Sequence, residues 1–168
     1  MVLTKEELIS SLQDEVRILL HLASKIDRSQ LDYRPTPKQR SIIELLRYLS
    51  HMGPSLIAGI KAGAFDMTAW QAAQDAANAS DFDQVLAAIE KQPKQYAELL
   101  GGFSDADFRG ELEMFGPKAS RGATIVKFVL CGYAAYRTQL FLYLKSLGRE
   151  ELNTMNLWAG TDAPVPAA

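Results

Sequence analysis

A single long helical segment near the C-terminus constrains the fold more than any other part of the sequence. Between Ser120 and Gly148, apolar residues recur at steps of three and four, which is the spacing of one helix face. The members of this face are Ile125, Val129, Gly132, Tyr136, Leu140, Tyr143 and Leu147. Ser120 is a favourable N-cap, and Gly148 is the residue type that most often ends a helix. The pattern predicts one continuous helix over residues 120–148.

Two further helices are expected in the first part of the chain. Thr4 and Glu7 have the spacing of a capping box, so the first helix is predicted to start there. The second helix is predicted to begin near residues 38–41 and to end at Gly63. Pro54 lies inside this second segment and lacks an amide, so we expect an interruption or a kink at that point.

The remaining segments complete a bundle. A third helix is predicted over residues 81–100, kinked before Pro93. Residues 64–80 carry a weak pattern, with room for one short alanine-rich helix. The absence of strand-period runs predicts an all-α four-helix bundle with irregular connections. We expect one domain over residues 1–160, followed by a flexible tail at residues 161–168.

Composition excludes several classes of function. The 168 residues carry a formal net charge of −2, which provides no electrostatic footprint for nucleic acid. The apolar runs are too short to cross a bilayer, and the N-terminus lacks the pattern of a signal peptide. We therefore expect a cytoplasmic protein with neither nucleic-acid nor membrane partners. The single cysteine, Cys131, excludes an internal disulfide and is interpreted as a small core residue.

Three short motifs resemble the DinB-like family of four-helix bundles, also called DinB/YfiT-like metalloenzymes. Residues 41–49, SIIELLRYL, resemble the family pattern Ser-Ile-x-Glu-Leu-Leu-x-His-Leu. Residues 132–140, GYAAYRTQL, resemble the pattern His-x-x-x-His-Arg-Gly-Gln-Leu, and residues 143–148 resemble the closing Leu-Arg-x-Leu-Gly. The resemblance implies that the second and last predicted helices face each other in a DinB-like bundle.

The resemblance also implies where a metal would lie. In that family three histidines bind a divalent ion, often zinc or nickel, and in some members the ion activates a thiol for transfer. The matching positions here hold Tyr48, Gly132 and Tyr136. Neutral tyrosine is a poor ligand and glycine has no side chain, so we expect neither metal nor cofactor. A residual zinc or nickel site would have to use His51 and Glu44.

Polar and aromatic residues around these positions predict a pocket between the second and last helices. Its candidate residues are Glu44, Tyr48, His51, Gly132, Tyr133, Tyr136, Arg137 and Gln139. In one interpretation the tyrosines fill the space and hydrogen-bond to Glu44 or Gln139. In the other, the space is a cleft that binds a small molecule. Arg137 either pairs with an acidic residue or holds a carboxylate or phosphate, and His21 is interpreted as a solvated residue.

Two functions remain open. The first is a non-catalytic bundle that binds a small ligand or a protein partner, as a homodimer with contacts from Leu157 and Trp158. The alternative is a divergent metal-dependent thiol transferase or hydrolase. In that enzyme His51 would serve as base or ligand, Tyr48 or Tyr136 as acid, and Glu44 as the orienting group. A DNA-binding role is disfavoured by the acidic net charge.

Overall fold

Helices make up most of the computed structural model, which describes residues 3–164. The α-helices are α1 (Lys5–Ala23), α2 (Ile42–Ala62), α3 (Met67–Ala79), α4 (Phe82–Glu90), α5 (Gln92–Gly101), α6 (Asp105–Arg109), α7 (Arg121–Ile125) and α8 (Cys131–Ser146). The other elements are a 3₁₀ turn (Arg28–Gln30), strands β1 (Glu111–Leu112) and β2 (Ala119–Ser120), and π-helical turns at Val126–Leu130 and Met155–Ala159. The predicted all-α class is confirmed, and β1 and β2 form one small antiparallel pair.

Local capping chemistry sets the helix ends where the sequence predicts them. The Thr4 hydroxyl accepts the amide of Glu7, whose carboxylate in turn accepts the amide of Thr4. Ser41 and Glu44 repeat this reciprocal pair at the start of α2. Gly63 ends α2 with a φ of +81°, a conformation that costs glycine little.

Across residues 3–164, no helix has both the length and the apolar character needed to cross a bilayer.

Pro54 does not interrupt α2, contrary to the sequence-based expectation. The helix continues through Pro54, although the missing amide leaves the carbonyl of Ser50 without its usual helical donor. The side chain of Gln92 replaces that donor: its Nε2 atom lies 2.9 Å from the carbonyl oxygen of Ser50 and 2.8 Å from that of Leu49. The helix therefore stays intact because α5 supplies the hydrogen bond that proline removes.

Two buried tyrosines extend this contact into α8. The Tyr96 hydroxyl donates to the Tyr133 hydroxyl over 2.7 Å, and the Tyr133 hydroxyl donates to Oε1 of Gln92 over 2.5 Å. Both rings lie directly against Gly53, where an added Cβ would come within 2.0 Å of the Tyr96 oxygen. Burial raises the pKa of both tyrosines, so both phenols stay neutral. This network joins α2, α5 and α8 at one point.

The segments between α2 and the long helix differ in detail from the predicted ones. The predicted third helix is two helices, α4 and α5, separated at Lys91, and Pro93 lies in the first turn of α5 rather than at a kink. The weakly patterned residues 64–80 contain the thirteen-residue helix α3, which Asp66 caps through the amide of Ala69.

The long C-terminal helix contains a π-helical turn that the sequence pattern does not predict. A π-helical turn holds more residues than an α-helical turn, so it rotates the side chains that follow it. The buried face consequently runs through Ile125, Val129, Tyr133, Arg137, Leu140 and Leu144. The predicted face members Gly132 and Tyr136 lie at its edge. Cys131, predicted from its residue type to be a core residue, is exposed because it lies midway between Val129 and Tyr133, on the opposite side of the helix.

The C-terminal segment folds back along α1. The π-helical turn Met155–Ala159 packs against α1, and Asp162 accepts hydrogen bonds from Lys25 and Asn156. His21, predicted to be solvated, has a side chain that is only 15% exposed, and Nδ2 of Asn156 lies 3.1 Å from its Nε2. The rest of the predicted flexible tail, residues 165–168, lies outside the described residues.

We predict that Gln92→Leu lowers the free energy of unfolding by about 2–3 kcal/mol. Leucine keeps most of the side-chain volume, but it leaves the Ser50 carbonyl and the Tyr133 hydroxyl without their buried partner. Urea unfolding followed by circular dichroism measures the change. Gln95→Leu, on the exposed side of α5, is the matched control, with an expected change within about 0.5 kcal/mol. Equal losses in the two variants would contradict the prediction.

Candidate functional site

Two phenol rings meet between α2 and α8. The ring centroids of Tyr48 and Tyr136 are 5.2 Å apart, with an angle of 69° between the planes. The guanidinium carbon of Arg40 lies 4.2 Å from the Tyr48 ring centroid and 5.9 Å from that of Tyr136. Burial, followed by the neighbouring Tyr136, raises the pKa of Tyr48 to about 12. Tyr48 is therefore a neutral aromatic surface at physiological pH.

His51 lies on the far side of Tyr48, against α3. Its ring centroid is 4.7 Å from that of Trp70, and its Nε2 atom is 3.2 Å from Oε1 of Gln74. Burial is the main cause that lowers the pKa of His51, so the imidazole is neutral at pH 7. Its Nδ1 atom is buried without a hydrogen-bond partner among residues 3–164. His51 thus packs between helices and does not line the open space beyond Tyr136.

A cleft of about 580 Å³ opens between α2, α3 and the long C-terminal helix. Most of its lining is aromatic or apolar: Tyr48, Leu56, Phe65, Met67, Trp70, Phe115, Lys127, Phe128, Cys131, Gly132, Ala135 and Tyr136. No aspartate or glutamate occurs among the described residues of this lining. The cleft therefore presents ring faces and one lysine to any molecule that enters it.

Four aromatic rings in the lining form a continuous wall of the cleft. Successive ring centroids from Trp70 to Phe65, Phe115 and Phe128 are separated by 5.4, 4.8 and 5.5 Å. Phe115 lies in the loop between β1 and β2 and has a φ of +57°, which is strained for a residue with a bulky side chain. Strained backbone of this kind clusters at binding sites.

The structure brings some of the predicted pocket residues together and separates others. Tyr48, Gly132 and Tyr136 line the cleft, whereas Tyr133 lies in the core with Tyr96. Glu44 caps α2 and pairs with Arg34 at 3.1 Å. Its carboxylate is therefore engaged at the N-terminus of α2 rather than in the cleft.

Gln139 and Arg137 also lie elsewhere. Gln139 donates to the hydroxyl of Tyr143, which donates to the Arg40 carbonyl over 3.0 Å, so this amide serves a structural network. Arg137 is buried, pairs with Glu15 of α1 and donates to the carbonyl of Leu157. Of the two roles expected for Arg137, the structure shows the pairing with an acidic residue, and its guanidinium links α8 to α1 and the C-terminal segment.

Sequence reasoning missed the wall of the cleft. Trp70 and Phe65 come from the weakly patterned residues 64–80, and Phe115 comes from the irregular loop between the strands. Lys127 and Phe128 lie on the π-helical turn. The available signal was the concentration of aromatic residues in two segments without helical periodicity, since such residues need a surface to pack against.

The donor atoms at the three positions matched to the family's ligands do not fit a divalent metal ion. Tyr48 presents a neutral phenol, Gly132 presents no side chain, and Tyr136 presents a second phenol. Within the described part of the chain, no three His, Cys, Asp or Glu side chains converge. His51 and Glu44 are held by separate partners, at Gln74 and at the start of α2.

We predict that the free energy of unfolding falls as the pH is lowered from about 7.5 to about 5. The pKa of His51 and the pKa of His21 are both lowered, chiefly by burial. The unfolded chain therefore binds protons near its ordinary histidine pKa of about 6.5, where the folded chain does not. Stability conferred by a lowered histidine pKa is present above that value and is lost as the pH falls below it.

Urea unfolding of His51→Gln across this pH range tests the assignment. The slope of stability against pH is expected to be shallower than in the unsubstituted protein, and His21→Gln should remove the other share. Carboxylates whose pKa is lowered, such as that of Glu44, change their charge mainly below pH 5. They are present in all the variants, so they do not affect the comparison of the slopes. An unchanged slope in the double variant would contradict the prediction.

Comparison with known proteins agrees with the architecture. No protein-family model and no curated protein sequence matches the chain. Among solved structures, the chain is similar to the crystal structure of a DinB-like protein, YjoA, from Bacillus subtilis, with a TM-score of 0.68 and 18% sequence identity. The match covers 87% of this chain and 94% of that one. The chain therefore has the DinB-like helical-bundle fold that its three short motifs predicted.

Proposed function

We propose that the protein binds a small, largely apolar molecule in the aromatic cleft, without a divalent metal and without catalysing a reaction on it. The observation that carries the proposal is the cleft of about 580 Å³ whose wall is built from aromatic rings. This volume lies within the range of small-molecule sites, which are mostly apolar and concave. Tyr48 and Tyr136 give the same cleft a polarizable inner wall.

Exposed apolar residues at the mouth of the cleft support ligand binding. Met67 is 64% exposed and Phe115 is 54% exposed, although both types of side chain favour burial. Both border the same opening, and the backbone of Phe115 is strained there. A bound apolar molecule would cover these surfaces and thereby favour a conformation that is costly in its absence.

The divergent transferase or hydrolase has less support from the geometry. His51 is directed toward Gln74 and Trp70 rather than the cleft. Glu44 is already engaged by Ser41 and Arg34. A general acid or base is most effective when its pKa is near the working pH, and the pKa of Tyr48 is far above that. The side chains expected to serve as acid, base and orienting group are therefore not directed toward one place where a substrate could react.

We predict that the neutral dye N-phenyl-1-naphthylamine binds with a stoichiometry of one per chain. In Trp158→Phe, Trp70 is the remaining tryptophan and lies in the cleft wall, so bound dye should quench its emission by energy transfer. Bound dye should also slow alkylation of Cys131 by iodoacetamide, since this sole cysteine is exposed and lines the cleft. Both effects should persist in the presence of EDTA.

A matched pair of variants locates the dye. Ala135→Phe places a ring inside the cleft and should abolish both effects, whereas Ala97→Phe makes the same change on the exposed side of α5 and should preserve them. The proposal would be overturned if Ala135→Phe still bound the dye, or if the parent protein did not bind it. Stoichiometric zinc or nickel retained after dialysis would overturn its metal-free part.

We also propose that two copies associate through the exposed surface around Trp158. Trp158 is 67% exposed and Met155 is 44% exposed on the π-helical turn that follows α8. Leu157 between them is only half-buried, which extends the apolar area.

The acidic net charge supports the separate expectation that nucleic acid is not a partner.

We predict that sedimentation at micromolar concentration gives the mass of a dimer. Trp158→Ser should shift the protein toward the monomer because it removes the largest exposed apolar side chain of this surface. Leu142→Ser, at an exposed position of α8, is the control and should leave the mass unchanged. A monomeric parent protein would refute this part of the proposal.

A further inference from the structure

We propose that the cleft selects an aromatic anion, whose ring lies on the aromatic wall and whose carboxylate or sulfonate group meets Lys127. This inference rests on the proposed binding function and adds the chemical class of the ligand. It follows from the charge of the residues that line the cleft, which differs in sign from the net charge of the protein. The chain carries a net charge of −2, yet the described cleft lining contains a lysine and no carboxylate.

Lys127 is placed to contact both parts of such a ligand. It lies on the π-helical turn beside Phe128, and its Nζ atom is 5.1 Å from the centroid of the Phe128 ring. Phe128 is the last ring of the aromatic wall. The ammonium group therefore stands where the wall ends, within reach of a charged substituent on a ring stacked against that wall. π-helical turns are often found at functional sites.

The ammonium group of Lys127 forms no ion pair in the described part of the chain. Across residues 3–164, no carboxylate lies within 4.0 Å of it, whereas Lys118 pairs with Glu111 at 2.7 Å and Lys25 pairs with Asp162 at 2.7 Å. An anion would therefore gain a charge-assisted contact without displacing an existing ion pair.

Arg40 does not line the cleft, but it places a second positive charge beside the lining residues Tyr48 and Tyr136. Its guanidinium carbon lies over the rings of Tyr48 and Tyr136, and no carboxylate pairs with it in the described part of the chain. Tyr136 follows Lys127 by nine residues on the same helix, a separation of about 13 Å along the axis. The two cations thus lie near different rings of the lining, and both raise the electrostatic potential inside a cleft whose described lining contains no carboxylate.

Two dyes that differ by a single anionic group test the inference. 8-Anilinonaphthalene-1-sulfonate is N-phenyl-1-naphthylamine with a sulfonate added. We predict that the sulfonate binds about tenfold more tightly than the neutral dye at an ionic strength of about 0.02 M, and that the difference shrinks at about 0.5 M. Fluorescence titration and the protection of Cys131 from iodoacetamide, a neutral reagent, provide independent readouts.

Substitutions assign the preference to Lys127. Lys127→Gln should make the two dissociation constants equal within about twofold, while binding of the neutral dye is retained. Lys127→Arg keeps the positive charge and should keep the preference. Lys94→Gln removes a surface charge that is paired with Glu98, away from the cleft, and is the matched control.

The outcomes separate this inference from the function on which it rests. If both dyes bind equally at low salt, the preference for an anion is overturned. If Lys127→Gln keeps the preference, the contact of the anionic group with Lys127 is overturned. In either case the binding function stands. If neither dye binds or protects Cys131, both proposals are overturned. Tighter binding of the sulfonate that persists in Ala135→Phe would place the dye outside the cleft and would likewise overturn the inference.

Discussion

The carbonyl oxygen of Ser50 is the group on which the arrangement of the bundle depends. Pro54 removes its helical donor, and a buried carbonyl without a donor costs about 1–3 kcal/mol. Gln92 supplies the donor and is itself held by the Tyr133 hydroxyl. The bond therefore fixes α5 against α2 at one register and draws α8 to the same point. Gly53 allows this close approach, because any larger residue would occupy the space of the tyrosine hydroxyls.

The same fixed point explains the position of the cleft. Tyr133 must face the core to reach Gln92, and Arg137, one turn later, faces Glu15 on α1. A regular α-helix from residue 120 would direct Gly132 and Tyr136 inward instead. The π-helical turn rotates the chain so that Tyr133 and Arg137 turn inward, and Tyr136 is left at the edge beside Tyr48. One row of side chains on the long C-terminal helix thus packs in the core, and the adjacent row lines the cleft.

These relations show why some features could be predicted from the sequence and others could not. The capping box of Thr4 and Glu7 and the left-handed Gly63 depend on neighbours within a few residues, so the pattern sufficed. The continuity of α2 through Pro54 depends on a donor 42 residues away, which no local pattern encodes. The π-helical turn likewise depends on distant parts of the chain, because it directs Tyr133 toward Gln92 and Arg137 toward Glu15. Because the pattern omits this turn, Tyr133 and Arg137 were expected in a pocket, whereas the expectation that Cys131 lies in the core came from its residue type alone.

The two phenols that meet between α2 and α8 affect what the cleft can recognise. A ring face attracts cations, and Arg40 occupies the faces of Tyr48 and Tyr136. A guanidinium that contacts an aromatic ring keeps its positive charge, since the ring is neutral. The phenols also stay neutral, since burial raises the pKa of Tyr48. The tyrosines thereby position a cation without cancelling its charge, which two carboxylates at the same positions would do.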